Sequence, residues 1–204
     1  MIGMMSAWMR LGRGAVLTVV AVGAWLNGGE VPQAQSACVL ERERPDQPAM
    51  FVRHLGSECT DQEREAQAVK ADEVFAALKN GKGVDIDRAM IVGDLFFDAL
   101  PPVKAEAISN QPPLLRNALR AQQITEVRRL AGPIAITHSV VRGTIGTRLK
   151  DDYVVVQGPV TLTGTTFERT ADFSRTVFLG PGDCSEAVFL SQAFFIQALF
   201  AQPA

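Results

Sequence analysis

The chain contains two histidines in 204 residues, and histidine is the side chain that most often transfers protons near neutral pH. His54 and His138 lie far apart in the sequence, and Ser139 follows His138 directly. Together with Asp152, Ser139 and His138 would make up a Ser-His-Asp set. Because neighbouring residues of a strand point to opposite faces, Ser139 and His138 are poorly placed for such a triad. The pattern therefore argues against a serine nucleophile.

Carboxylates are the second candidate for chemistry. Asp85, Asp87, Asp94 and Asp98 follow one another closely, and paired carboxylates on a β-helix could cleave a polysaccharide. Aspartate beside a glycine or a helix end is more often a backbone cap. The sequence also lacks a phosphate-binding glycine loop, an HExxH motif and an EF-hand loop. We therefore predict no catalytic residues, no cofactor and no metal site, and keep a polysaccharide-active enzyme as the alternative.

The three cysteines offer a disulfide or a metal site. Cys38 and Cys59 precede the first predicted helix, and a bridge between them would close a loop of about 20 residues, worth roughly 3 kcal/mol. A zinc site with His54 ranks lower, because a fourth ligand and regular spacing are missing. Two unpaired thiols are the remaining alternative. The sequence favours a Cys38–Cys59 disulfide, which lipidation of Cys38 would prevent.

The first 36 residues have the three parts of a secretory signal. Two arginines and no acidic residue precede an uncharged apolar stretch over 15–26, and a small-residue zone ends at Ser36 or Ala37. The apolar stretch is shorter than the roughly 20 residues that cross a bilayer. An uncleaved anchor is the first alternative, and a lipoprotein modified at Cys38 is the second. Each places the mature chain outside the cytoplasm, in the periplasm, at the cell surface or secreted, and no membrane span is expected after signal removal.

The remaining sequence is predicted to divide into an irregular lead-in over 37–60, a capping helix over 61–80 and a repeat domain over 84–204 with an insertion at about 101–132. Thr60 and Glu63 form a capping-box pattern, and apolar residues then recur at helical spacing as far as Leu78. Gly81 is placed to end the helix. We therefore expect one helix over 61–79.

An eleven-residue period dominates the C-terminal part. Large residues recur every eleven positions in two interleaved series, namely Phe167, Phe178, Phe189 and Phe200, and Phe173, Cys184 and Phe195. Leu162 and Val156 extend the alternation toward the N-terminus. Polar Asp, Glu, Arg and Ser between these residues disfavour a helix, so short strands joined by tight turns are indicated. Stacked strands place like residues about 4.8 Å apart, so these residues are predicted to form a core column.

At this point the sequence resembles the pentapeptide-repeat family. Residues 171–175, Ala-Asp-Phe-Ser-Arg, match its pattern of a small residue, Asp or Asn, a central Leu or Phe, and two polar residues. The resemblance implies a mainly β fold, a right-handed quadrilateral parallel β-helix. It also implies that Cys184 is a buried structural thiol in the core column. The spacing alternates between five and six instead of remaining five, and a Phe-rich β-sandwich is the alternative fold.

Composition and charge narrow the function. A chain that is 47% hydrophobic and 21% charged is not a disordered protein, and a net charge of −2 argues against a nucleic-acid partner. Some relatives in the resembled family mimic DNA and inhibit topoisomerases, which ranks low for an exported chain. The expected function is a non-catalytic exported scaffold that binds an unknown protein or envelope component, or copies of itself by stacking or edge contact. The repeat stops at 202–204 without a closing helix, so either Pro203 ends the stack, a partner covers it, or the chain is a truncated form of a longer protein.

Overall fold

A computed structural model of the protein describes residues 38–42, 49–148 and 151–202. The predicted signal, 1–36, lies outside the described residues. Most of the described chain is wound into successive coils, and each full coil passes through four β-sheets in a fixed order.

The four sheets are numbered in the order in which a coil reaches them. Sheet 1 contains Val39–Glu41, Met50–Leu55, Gly83–Asp87, Ile134–Thr137, Val160–Thr161 and Gly182–Asp183. Sheet 2 contains Val69–Lys70, Met90–Val92, Val140–Val141, Thr166–Phe167 and Val188–Phe189. Sheet 3 contains Leu95–Phe96, Ile145–Gly146, Ala171–Asp172 and Ala193–Phe194. Sheet 4 contains Pro102–Lys104, Glu126–Leu130, Val154–Val156, Thr176–Phe178 and Leu199–Phe200.

Strand pairing in these sheets is parallel, with two exceptions. Val39–Glu41 runs antiparallel to Met50–Leu55, and Pro102–Lys104 runs antiparallel to Glu126–Leu130. The two antiparallel strands lie at the N-terminal edges of sheets 1 and 4. The protein is therefore mainly β and has the architecture of a parallel β-solenoid, which confirms the coarse fold expected from the sequence.

One complete coil is twice as long as the sequence period. Phe167 pairs with Phe189 and Phe178 pairs with Phe200, so stacked residues are 22 positions apart. Eleven residues carry the chain past only two of the four sheets. The single column expected at a spacing of eleven is therefore wrong, and alternate members of each series stack on opposite sides of the core. The stacked rings lie 4.9 Å apart in both pairs, close to the spacing of adjacent strands.

Five of the nine predicted core residues are buried, namely Val156, Leu162, Phe167, Phe173 and Phe178. Phe189 is half-buried and packs on the same core. Phe195, Phe200 and Cys184 are exposed, which corrects the prediction that all three are interior. They belong to the last coil, residues 182–202, and no strand of the described residues stacks above that coil.

Left-handed residues turn the coil at two of its corners. Gly164, Arg175, Glu186 and Gln197 have φ between 53° and 62° and recur every eleven positions. Gly164 and Glu186 lie between sheets 1 and 2, and Arg175 and Gln197 lie between sheets 3 and 4. Only Gly is free of a steric cost in this region, so the stacked strands on either side must hold the other three.

The insertion leaves the coil between sheets 3 and 4. Stacked residues of the second and third coils are 50 positions apart in sheets 1 to 3 but 26 apart in sheet 4, a difference of 24 residues. The predicted end of the insertion at 132 is wrong, because Glu126–Leu130 already belongs to sheet 4. Helix α3 (Pro113–Ala121) packs Leu115 and Leu119 on the outside of this sheet. There they form a second core with three sheet residues, Val127, Val155 and Val177.

The single helix predicted over 61–79 is wrong. Helix α1 (Asp61–Ala66) carries the expected capping box, but the chain then forms the strand Val69–Lys70 before helix α2 (Ala71–Lys79). Val69 is fully buried and pairs with Ile91, so burial in sheet 2 outweighs helix propensity. Helix α2 buries its apolar side against the first coils and covers the N-terminal end of the core. No helix in the described part of the chain is long and apolar enough to cross a membrane.

The lead-in is also more ordered than expected. Residues 50–55 form a full strand of sheet 1, in place of the irregular segment predicted over 37–60. A disulfide joins Cys38 and Cys59, whose Cα atoms lie 5.1 Å apart. The bridge ties the first antiparallel strand to the residues that precede α1.

Truncation of Phe178, which is 7% exposed, should lower the free energy of unfolding by about 3–5 kcal/mol in Phe178→Ala, because it leaves a cavity in the core. Leu114→Ala is the control, since Leu114 is 67% exposed on α3 and should change stability by less than about 0.5 kcal/mol. Urea denaturation measures both variants. Similar losses in the two variants would contradict the assignment of Phe178 to the core.

Removal of the disulfide in a Cys38→Ala, Cys59→Ala double variant should cost about 3 kcal/mol, because the unfolded chain regains a long loop. Denaturation with and without a reducing agent measures the effect, and reduction of the wild type should match the double variant. Cys184→Ala is the control and should leave the response to reductant intact. A wild type whose stability does not respond to reduction would contradict the prediction.

Candidate interaction surface

The last coil, residues 182–202, forms the C-terminal edge of all four sheets within the described part of the chain. Each of its strands pairs on one side with the preceding coil, and no strand of the described residues pairs with its other side. Such edges are templates for pairing with another chain.

The outward side chains change character in this coil. In the preceding coil, four outward positions of sheets 2 and 3 and the corners that follow them carry polar residues, namely Thr166, Glu168, Asp172 and Ser174. The positions 22 residues later carry large apolar residues, namely Val188, Leu190, Phe194 and Ile196. We call these four residues the apolar belt. Val188, Leu190 and Ile196 are 47%, 66% and 64% exposed.

Exposed apolar surface is concentrated here. Among the described residues, six large hydrophobic side chains are exposed, and five of them belong to the last coil. Besides three members of the apolar belt, they are Phe195 and Phe200, whose rings cover Phe173 and Phe178 of the coil below. A contiguous exposed apolar patch of this kind typically marks a binding surface.

The apolar belt carries no charge. The last coil contains only two charged residues, Asp183 and Glu186, and both lie near the corner between sheets 1 and 2. The Asp183 carboxylate accepts hydrogen bonds from the Ser185 N–H at 2.9 Å and the Thr163 hydroxyl at 3.2 Å. The Ser185 hydrogen bonds are the main cause of a pKa below the ordinary value for this carboxyl.

Cys184 is a free thiol in the same coil. Burial by neighbouring groups and the negative charge of Asp183 both raise its pKa. A thiol with a raised pKa stays protonated at neutral pH and is a poor nucleophile. The surroundings of Cys184 therefore do not activate its thiol, and the side chain is exposed instead of interior as the sequence suggested.

His54 lies on the outer side of sheet 1, and His138 lies at the corner that follows the strand Ile134–Thr137 of this sheet. His54 Nδ1 lies 3.1 Å from Glu41 Oε2, and His54 Nε2 lies 3.0 Å from Asp85 Oδ1. His138 Nδ1 lies 3.0 Å from Asp87 Oδ1. The described residues contain no group of His, Cys, Asp and Glu side chains arranged to hold a metal ion.

The nominal Ser-His-Asp set is not assembled. Ser139 is buried, and its hydroxyl donates to the Thr137 carbonyl at 2.7 Å. His138 is half-exposed and contacts Asp87, whereas Asp152 lies 3.8 Å from Arg128. Ser139 and His138 thus serve different parts of the coil, but they lie at a corner between Ile134–Thr137 and Val140–Val141 and not on a strand as the sequence argument assumed.

Asp94 and Asp98 have partners within the fold. Asp94 Oδ1 accepts the Thr144 N–H at 2.8 Å and therefore caps the backbone of the next coil. Asp98 Oδ2 accepts from Arg148 Nη2 at 3.1 Å. The Asp94 contact is the backbone cap expected beside a glycine, whereas Asp98 forms an ion pair instead.

The Asp87 carboxylate is the most heavily hydrogen-bonded of the four aspartates. Burial alone would raise its pKa, but hydrogen bonds from His138 and Thr137 and the charge of Arg88 outweigh burial and hold the pKa below its ordinary value. A carboxylate with a lowered pKa in the folded state stabilises the protein above the pKa of the unfolded chain. This contribution is lost as the pH falls through the folded-state pKa.

We expect Asp87→Asn to lower the free energy of unfolding at pH 7 by roughly 1–2 kcal/mol, because a charged hydrogen-bond acceptor is lost. The difference from wild type should shrink as the pH falls below about 4. Denaturation curves recorded across this pH range measure it, with Asp72→Asn on the exposed side of α2 as the control. A difference that is independent of pH would contradict the role of the charge.

The apolar belt was readable in the sequence, but only at the correct spacing. A comparison at eleven residues mixes positions of opposite sheets, so the change from Thr, Glu, Asp and Ser to Val, Leu, Phe and Ile is hidden. A comparison at 22 residues reveals the change directly.

A scan against protein-family models, a search of curated proteins and a search of solved structures found no match to the chain.

Proposed function

We propose that the protein is an exported, non-catalytic β-helical scaffold of the pentapeptide-repeat type, a right-handed quadrilateral coil capped by α2 at its N-terminal end. It acts by binding other molecules through the last coil, and the partner we assign to this surface is a second copy of the chain. The eleven-residue ladder and the four stacked sheets support the family type. The Cys38–Cys59 disulfide supports an oxidising compartment outside the cytoplasm.

One observation carries the proposal, namely the replacement of four polar outward residues by the apolar belt between one coil and the next. Nothing in the requirements of the coil itself explains the change, because the preceding coil folds with Thr166, Glu168, Asp172 and Ser174 at the same positions. Large apolar residues that the fold does not need, placed on the outer side of a coil, are typical of a surface that another chain covers.

A second copy fits this surface because the surface is uncharged and can complement itself. In a twofold dimer the same residues meet across the axis, so a charged patch would repel itself. An axis near the apolar belt brings apolar residues together and keeps Asp183 and Glu186 away from the centre. The exposed rings of Phe195 and Phe200 would then be covered by the partner.

The enzyme alternative has weaker support. The Asp94, Asp98 and Asp152 carboxylates are engaged in a backbone cap and in ion pairs, and Asp85 contacts His54. We therefore rank a polysaccharide-active enzyme below the scaffold. A DNA-mimicking inhibitor of topoisomerases, which would require a cytoplasmic location, ranks lower still.

The test converts the last coil to the pattern of the coil before it. The variant Val188→Thr, Leu190→Glu, Phe194→Asp, Ile196→Ser should fold, because the preceding coil folds with these residues. We expect the wild type to sediment as a dimer and this variant to sediment as a monomer. Loss of buried apolar surface at four positions should weaken association by about 100-fold or more.

Leu114→Glu is the matched control, since it removes an equally exposed leucine from α3 and should leave the dimer intact. Circular dichroism and thermal unfolding check that every variant is folded. A wild type that sediments as a monomer, or a dimer that survives the four substitutions, would overturn self-association through the apolar belt.

A further inference from the structure

Arg53 occupies a core position at the N-terminal end of the solenoid. It pairs with Ile86, which pairs with Ile136, and this column continues through Leu162 to Cys184. Ile86, Ile136 and Leu162 are buried. Partners in a parallel sheet point to the same side, so Arg53 points to the core side of sheet 1. A guanidinium therefore begins a column that is otherwise apolar within the coils.

The Arg53 side chain lines a cleft of about 470 Å³ between sheet 1 and α2. The cleft is lined by Arg42, Phe51, Arg53, Glu73, Ala76, Ala77, Asn80 and Lys82. Phe51 is buried. We call this site the basic cleft.

Hydrogen bonding at Arg53 is incomplete. Its Nε is buried and has no hydrogen-bond partner among the described residues. Arg64 provides a contrast, because its guanidinium donates to the carbonyls of Cys59, Gly56 and Arg88. Burial of an unsatisfied charged donor is costly, and a bound ion is one of the standard reasons why such a group persists.

The charge around Arg53 favours an anion. Among the described residues that line the basic cleft, three are cationic and one, Glu73, has a carboxylate, which accepts the Lys70 N–H at 3.2 Å. Arg42 uses Nη2 to donate to Gln67 Oε1 at 3.1 Å. At the end of α2, the carbonyls of Ala76 and Ala77 are already occupied by N–H groups of the following turn.

We propose that the basic cleft is an oxyanion-binding site, with Arg53 as the residue that anchors a phosphate, sulfate or carboxylate group. The planar fork of a guanidinium matches the geometry of these groups, and a charge-assisted hydrogen bond to Nε would satisfy the buried donor. The site lies in the first coil, at the end of the solenoid opposite to the apolar belt. It is therefore independent of the proposed dimer.

Binding is tested on the full chain with inorganic phosphate, titrated at constant ionic strength and followed by calorimetry. We expect saturable binding by the wild type and a loss of affinity of at least about tenfold in Arg53→Gln, because the anchoring donors are removed. Arg129→Gln is the control, since Arg129 is exposed on sheet 4 and does not line the basic cleft. It should bind phosphate as the wild type does.

A second measurement uses thermal unfolding in place of calorimetry. Arg53→Met replaces a half-buried guanidinium, whose Nε is buried without a partner, by an apolar side chain of similar length, so it should unfold at a higher temperature than the wild type in chloride buffer. Phosphate should raise the unfolding temperature of the wild type and leave that of Arg53→Met unchanged. Equal responses to phosphate in these two proteins would overturn the proposal.

The source of the anion is distinguished by a comparison of inorganic phosphate with an oligogalacturonate. Much tighter binding of the oligomer at equal anion concentration would identify a polymer, and equal binding would identify a free anion. If neither inorganic phosphate nor the oligogalacturonate binds, the proposal is overturned.

Discussion

The structure depends on hydrogen bonding and side-chain contact between each residue and the residue one coil later. A single coil has strands of two to six residues and cannot bury its own inner side chains. When coils stack, every inner side chain meets its counterpart, as Phe167 meets Phe189 at 4.9 Å. The stacking forms the backbone hydrogen bonds and buries the inner side chains at the same time. A segment that does not fit the stack must therefore lie at an end of the solenoid or leave the coil at a corner.

The corner between sheets 3 and 4 is where the chain departs. In the second coil the 24-residue insertion leaves there, and in the third coil a shorter loop lies at the same corner before Val154. Because sheet 4 must resume in register, the extra residues cannot enter the stack. Those of the second coil form α3 and fold back on the outside of sheet 4, where Val127, Val155 and Val177 are apolar on the outer side as well.

The sequence alone predicts a solenoid, but it does not predict how many sheets each coil crosses. The phenylalanine spacing predicts that the strands are short and that their apolar residues face one side. Both features depend only on residues that are close together in the sequence. The number of sheets that the chain crosses before two residues stack depends on contacts between distant residues, so the spacing alone predicts half a coil as the repeat. The helix over 61–79 failed for a related reason, because the pairing of Val69 with Ile91 in sheet 2 joins residues far apart in the sequence.

The coil has an approximate twofold symmetry about its own axis. Its two left-handed corners lie on opposite sides, and so do sheets 2 and 4, which contain the phenylalanines spaced by eleven residues. Gly164 on one side corresponds to Arg175 on the other, eleven residues later, and Glu186 corresponds to Gln197 in the same way. A half-turn slip during folding, with eleven residues looped out, would still place apolar side chains over apolar side chains. The regular coils are therefore degenerate in register. The earlier coils are irregular, because they include the insertion and are covered by helix α2, so they allow one register only. Folding in the correct register should therefore proceed from the N-terminal end.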